Sequence, residues 1–213
     1  MEPHLIRILR ILCLVPAVYL LTGCDSLLIW GARSNVQSAV SAALICGANI
    51  NAHDSLGFTP LELAIREMNN DVALRLLTNG ADMEARNNKQ ATALHIAAVI
   101  NNQQLASELV RRGANLSSVS ADGWTALHFT VAKDSTDIAA LLIAKGAPLN
   151  ATTNLGDTAL HLSAQGGRAA LTKSLLAGGA DTSIRNADGK TAQQVAVENG
   201  KQEVASLLAR ASP

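Results

Sequence analysis

Thr92-Ala93-Leu94-His95-Ile96-Ala97-Ala98, Thr125-Ala126-Leu127-His128-Phe129-Thr130-Val131 and Thr158-Ala159-Leu160-His161-Leu162-Ser163-Ala164 are one segment written three times, each copy 33 residues after the last. The register continues outward in both directions. Thr59-Pro60-Leu61-Glu62 precedes the three copies by the same step, and Thr191-Ala192-Gln193-Gln194 follows them. Gly47, Gly80, Gly113, Gly146 and Gly179, each followed by Ala, repeat with the same period. One step before Thr59 lies Ser26. Trp30 then falls in the slot of Leu63, Ile96, Phe129, Leu162 and Val195, and Gly31 in the slot of Ala64, Ala97, Thr130, Ser163 and Ala196. A period of this length across a whole chain signals stacked repeats.

Within one unit the pattern predicts two helices. A Thr at a helix start offers its side-chain oxygen to backbone N–H groups that have no partner inside the helix. Thr125 is therefore expected to cap a first helix whose buried side begins with Leu127, Phe129 and Val131. Ile138, Leu141 and Leu142 form an apolar stripe at helical spacing for the second helix, and Gly146 ends it where a left-handed residue is needed. One such pair cannot bury its apolar surface alone; stacked neighbours make the core continuous. The expected fold is all-α: a solenoid of about six helix-turn-helix units linked by β-turn fingers. At the last unit, Gln193 and Gln194 replace Leu and His, and Lys201, Gln202 and Glu203 make the second helix polar, as a terminal cap requires. Gln90 stands where Gly57, Gly123, Gly156 and Gly189 make the finger turn, so a reshaped finger is expected there. Met68, Asn101 and Asp134 take the interhelical slot that Gly167 and Gly200 fill with glycine; Met is the least suited to it.

The period and the Thr-Pro-Leu-Glu and Thr-Ala-Leu-His segments resemble the ankyrin repeat, over nearly all the chain from Ser26 to Leu208. The resemblance divides the sequence into an N-terminal capping repeat (24–53), four repeats (54–86, 87–119, 120–152, 153–185) and a C-terminal capping repeat (186–213). It implies that Thr92 with His95, Thr125 with His128 and Thr158 with His161 are structural, their imidazoles hydrogen-bonding within and between turns. It also implies a binding scaffold that meets a protein partner with its fingertips and the concave face of its first helices. Carried over by register, that face holds Leu56, Phe58, Arg66, Lys89, Val99, Ile100, Trp124 and Lys133. Apolar and aromatic anchors among charged neighbours suit an interface centre.

Composition removes other classes. With 17 Lys+Arg against 17 Asp+Glu the chain lacks the basic excess that nucleic-acid binding uses, and Tyr19, Trp30, Phe58, Trp124 and Phe129 are too few for a base-stacking platform. The 48% hydrophobic fraction excludes a disordered chain. His95, His128 and His161 invite a metal reading. Equivalent positions in packed neighbours lie about 8–10 Å apart, though, while zinc holds nitrogen at about 2.0–2.1 Å, so no metal is expected. No nucleophile elbow, His-Glu-x-x-His motif or phosphate-binding loop occurs. An enzyme, a cofactor and a small-molecule substrate are not expected.

The N-terminus reads as an export signal. Arg7 and Arg10 precede an apolar run over residues 11–21, too short for a membrane span. Leu21-Thr22-Gly23-Cys24 resembles the bacterial lipoprotein signal. The resemblance implies that residues 1–23 are removed, that Cys24 is diacylated, and that the chain is lipid-anchored on the periplasmic side of the envelope. Asp25 resembles an inner-membrane retention signal; the outer membrane stays open. With Cys13 removed and Cys24 acylated, only Cys46 remains and no intramolecular disulfide is expected. Cys46 shares its slot with Asn79, Arg112, Lys145 and Gly178, which predicts an exposed helix end. Three roles follow: an immunity protein neutralising a periplasm-acting toxin such as a lipase, a scaffold for an envelope or oxidative-stress enzyme, or a redox or stress sensor using Cys46.

Overall fold

The computed structural model describes residues 23–211; the predicted signal segment before Gly23 lies outside the described residues. Those residues form twelve helices in six pairs, with no strand among them beyond a single bridge between Arg185 and Thr191. The chain divides into two units, the first ending at Asp82 and the second beginning at Met83.

The first unit holds α1 (Cys24–Arg33), α2 (Gln37–Ile45), α3 (Pro60–Arg66) and α4 (Asn70–Thr78). Each first helix packs on its own second helix, and α1 packs on α3. Leu28, Val40, Leu61, Leu63, Ile65, Val72 and Leu76 fill the core between them. The Asn69 amide donates to the carbonyls of Ala32 and Arg33, closing the end of α1. Helix α3 starts with a capping box: the Thr59 hydroxyl accepts from the N–H of Glu62, and the Glu62 carboxylate accepts from that of Thr59. Helix α1 departs from the repeat. It begins at Cys24, two residues ahead of Ser26, so Ser26 lies inside the helix and does not cap it.

Cys24 at the start of α1 is disulfide-bonded to Cys46 just past the end of α2, with Cα atoms 6.1 Å apart. The expectation of no intramolecular disulfide is therefore corrected. It holds only where Cys24 is already acylated; without the acyl group, the pairing of α1 with α2 puts the two thiols side by side. Cys46 is exposed, as its slot predicts.

The second unit holds α5 (Ala93–Val99), α6 (Gln103–Arg111), α7 (Ala126–Ala132), α8 (Thr136–Ala144), α9 (Ala159–Gly166), α10 (Ala169–Ala177), α11 (Ala192–Glu198) and α12 (Gln202–Ala211). The first helices α5, α7, α9 and α11 pack in one row and the second helices α6, α8, α10 and α12 in another. Leu94, Leu127 and Leu160 are buried in the first row, Leu109, Leu142, Leu175 and Leu208 in the second.

Fingers precede the first helices. In three of them a backbone bond closes the turn in the same way: Ser120 N–H to the Trp124 carbonyl, Thr153 to Asp157, and Asn186 to Lys190, at 2.9–3.0 Å. Neighbouring fingers are laced together, Ala121 N–H donating to Lys89, Asn154 to Asp122 and Ala187 to Leu155. The finger at Gln90 is not reshaped. Asn87 N–H bonds the Ala91 carbonyl and Gln90 N–H bonds that of Asn87, as in the other fingers, and Gln90 itself adopts φ 57°. The turn holds its shape and the side chain bears the strain. Met68 does the same between α3 and α4, at φ 60°. Gly156 meets a second demand, since a Cβ there would stand 2.8 Å from the backbone nitrogen of Ala187.

These two sites give opposite expectations. Left-handed backbone costs a side-chain-bearing residue about 1–2 kcal/mol, partly offset by the unfolded freedom of glycine. Gln90→Gly should raise stability by roughly 0.5–1 kcal/mol. Gly156→Ala should lower it by about 2 kcal/mol, because strain and a backbone clash add. Urea unfolding of both variants against the parent checks the two signs.

Candidate protein-binding surface

The surface rests on a buried polar layer beneath it. In three repeats of the second unit the capping Thr N–H donates to the Nδ1 of the His three residues on: Thr92 to His95 at 3.0 Å, Thr125 to His128 at 3.1 Å and Thr158 to His161 at 3.2 Å. Accepting at Nδ1 leaves the proton on Nε2. His95 Nε2 then meets the carbonyls of Ser118 at 3.0 Å and Trp124 at 3.1 Å, and His161 Nε2 that of Lys190 at 2.9 Å. The imidazole thus joins a helix start to the next finger. All three histidines are buried, and no cluster of metal-binding side chains occurs among the described residues. His128 is the exception in its outer contact: its Nε2 is buried without a hydrogen-bond partner. Burial pushes the His128 imidazole down to about 4, and the nearby carbonyls of Ala151 and Asp157 offset this only in part. Burial also lowers His95, against the opposing pull of the Ser118 and Trp124 carbonyls.

The predicted surface residues fall on both units. In the first, Leu56 stands at a fingertip with 57% of its surface exposed. Phe58 is half-buried, with the Arg66 guanidinium 4.7 Å from its ring centre, and Arg66 pairs with Glu67 at 3.0 Å. Arg66 is therefore held by its own neighbours.

In the second unit Lys89 and Lys133 are exposed, while Val99 and Ile100 are half-buried at the end of α5. Trp124 is half-buried too. Its ring lies on Phe129 with centroids 4.9 Å apart and faces His128 at 6.1 Å, while Phe129 meets His95 edge-on at 5.8 Å. Trp124 presents one side to solvent from a fixed aromatic base. Two further apolar groups join this surface. Leu155, 68% exposed, occupies the fingertip slot of Leu56, and Val119 lies in the preceding finger. An apolar residue in a slot that Lys89, Asp122 and Asp188 fill with charge is the signal for Leu155. Val119 takes a slot otherwise held by His53, Arg86, Thr152 and Arg185. A cavity of about 660 Å³ lies at the last repeat, between Asp188, Lys190, Gln193, Val197 and Glu198. Its charged lining, with Lys190 paired to Glu198 at 2.6 Å, is unlike the apolar enclosure of a small-molecule site.

The ankyrin-repeat family model of three copies matches residues 68–153 and 145–213. The chain belongs to the ankyrin-repeat family, whose fold is typically a non-enzymatic scaffold for protein–protein interaction. Its structure is similar to an ankyrin repeat domain from Acinetobacter baumannii AYE, at 29% identity and TM-score 0.81, covering 86% of this chain and 96% of that one. It is also similar to the ankyrin repeat domain of Bcl-3, a member of the IkappaB protein family, at 31% identity and TM-score 0.76, covering 85% and 81%. No curated protein sequence matches the chain.

The buried imidazoles make stability depend on pH. An unfolded His takes up a proton near 6.5, whereas folded His128 does so only near 4. Between these values the unfolded state binds more protons, so stability falls as pH falls from about 6.5 toward about 4. His128 alone should account for about 3 kcal/mol of this loss. Gln194 fills the same slot in the last repeat with its capping box intact. His128→Gln should therefore flatten the decline in urea midpoint over that window while keeping the fold.

Proposed function

We propose that the chain binds one protein, without chemistry, through the fingers and first-helix ends of its second unit, and that it does so from a lipid anchor at Cys24 on the periplasmic side of a bacterial envelope. The observation that carries the binding surface is the exposure of Leu155 at a fingertip, together with the half-exposure of Trp124, Val99 and Ile100. Apolar groups in slots where the fold accepts charge have no work in the core. Trp124 is fixed by Phe129 and His128 before any partner arrives, so it loses little freedom on binding. Lys89 and Lys133 supply positive charge nearby and suit a partner with acidic groups around an apolar centre.

The anchor rests on Leu21-Thr22-Gly23-Cys24 and on the start of α1 at Cys24 itself, which leaves no linker between lipid and fold. That favours a partner working at the membrane surface. We read the role as immunity against a periplasm-acting toxin that attacks lipid, such as a lipase, with a scaffold for an envelope or oxidative-stress enzyme as the alternative. The partner's identity separates the two.

Affinity capture of the full chain from detergent-solubilised membranes, followed by titration of the captured protein, tests the surface. Leu155→Asp and Ile100→Lys should each weaken binding by about 30-fold, the size of a hot-spot loss. Trp124→Ala should weaken it further but also loosen the aromatic cluster, so circular dichroism accompanies it. Undiminished binding by Leu155→Asp and Ile100→Lys together would place the partner elsewhere.

A further inference from the structure

We infer that Cys46 competes with lipid for the sulfur of Cys24, giving the chain two exclusive states: acylated at Cys24 with Cys46 free, or unacylated with α1 and α2 joined by the Cys24–Cys46 disulfide. The first state rests on the lipid-anchor reading above; the second rests on the geometry of the first unit.

That geometry is built by the helix pair. Helix α1 begins at Cys24 and α2 ends at Ile45, and their packing brings the beginning of one beside the end of the other. The 6.1 Å between Cα atoms lies within the span that disulfides occupy, about 4.4–6.8 Å. The placement has supports other than the sulfurs. The Asp25 carboxylate accepts the N–H of Asn49 at 2.7 Å, tying the first turn of α1 to the segment after α2. Leu28, Val40 and Ala43 are buried in the same pair. Cys46 therefore stands beside Cys24 whether or not the bond forms.

The two fates exclude each other by valence. Diacylglyceryl attachment forms a carbon–sulfur bond at Cys24, with loss of the thiol proton and departure of the phospholipid headgroup; the resulting thioether cannot exchange with a disulfide. The other route needs a disulfide donor, a small-molecule or protein disulfide. Cys46, the more exposed of the two, attacks the donor as its thiolate and releases one donor thiol. The Cys24 thiolate then displaces the second donor thiol from the mixed disulfide. Two cysteine thiols lose two protons and two electrons, and the donor disulfide leaves as two thiols. Ile45, next to Cys46 and 88% exposed, belongs to the same end of the unit. It is bare to water in the unacylated state and adjacent to lipid in the acylated one.

The test uses the full chain in an exporting bacterium, as parent, Cys46→Ser and Cys24→Ser, grown with and without an added disulfide donor such as cystine. Peptide mass spectrometry reads the Cys24 and Cys46 peptides as acylated, free or linked. The donor should lower the acylated fraction of the parent several-fold while linked peptides rise, and should leave Cys46→Ser unchanged. No peptide should be both acylated and linked. Equal acylation of parent and Cys46→Ser under both conditions would overturn the competition and leave the anchor standing. Absence of acylated Cys24 in every strain would overturn the anchor, and the competition with it; linked peptides in the parent would then show that the anchor is what failed, not the placement of the cysteines.

Discussion

The array depends on a neutral imidazole held at both ends. In the second unit, Nδ1 of His95 caps its own helix through Thr92 while Nε2 grips the carbonyls of Ser118 and Trp124 in the following finger. A helix cap contributes about 1 kcal/mol wherever it occurs. Here the capping group is also the tie to the next repeat, so local and long-range order are set by one side chain. The finger that His95 holds is itself bonded sideways, Ala121 to Lys89 and Asn154 to Asp122. Backbone groups that would otherwise be buried without partners are satisfied across repeats, which is what lets short helices with little core of their own persist. Where the outer hydrogen bond is missing, at His128, the nearby carbonyls of Ala151 and Asp157 offset burial only in part, and the imidazole is pushed down to about 4.

The fold was readable because its determinants repeat. Thr, Leu, His and Gly recur at fixed slots, and those slots are the caps, core and turns seen in the structure. The departures were less readable, each for a local reason. At Gln90 the sequence reports a poor residue for positive φ, but the turn is closed by its own backbone bonds and by its neighbour, so the residue yields and the finger does not. At Ser26 the register marks a cap. In the structure α1 begins at Cys24 with Asp25 in its first turn, where a carboxylate suits the helix dipole. The Cys24–Cys46 pair has no spacing signature at all, since it depends on how two helices close on each other.

The candidate surface was readable in position and not in degree. Register placed Leu56, Phe58, Lys89 and Trp124 on fingers, yet how far each side chain projects depends on what lies beneath it. Phe129 is aromatic in a slot that Ile96 and Leu162 fill with aliphatic groups, and it gives Trp124 a ring to lie on. Phe58 is covered by Arg66, which pairs with Glu67. Leu155 has no such cover and projects furthest among these apolar groups.

A repeat protein separates its two kinds of information by periodicity. A residue required for stacking must recur, because every repeat faces the same neighbour; a residue required by a partner need not, because the partner meets each finger once. The fingertip slot reads Leu56, Lys89, Asp122, Leu155 and Asp188, five positions with no common chemistry. The first residue of the helix after each of these fingers does not vary in this way: it is Pro60 or Ala93, Ala126, Ala159 and Ala192, buried throughout. Fold constraint is thus strong at the base of the finger and weak at its tip. A lone hydrophobic side chain at a tip is commonplace. Leu155 gains weight because it extends a set that includes Trp124 on a rigid aromatic base, in a protein with only five aromatic residues in all. With so few rings available, the packing of Trp124 at the end of its finger against Phe129 of the helix that follows sets this repeat apart from those whose slot is filled by Ile96 or Leu162.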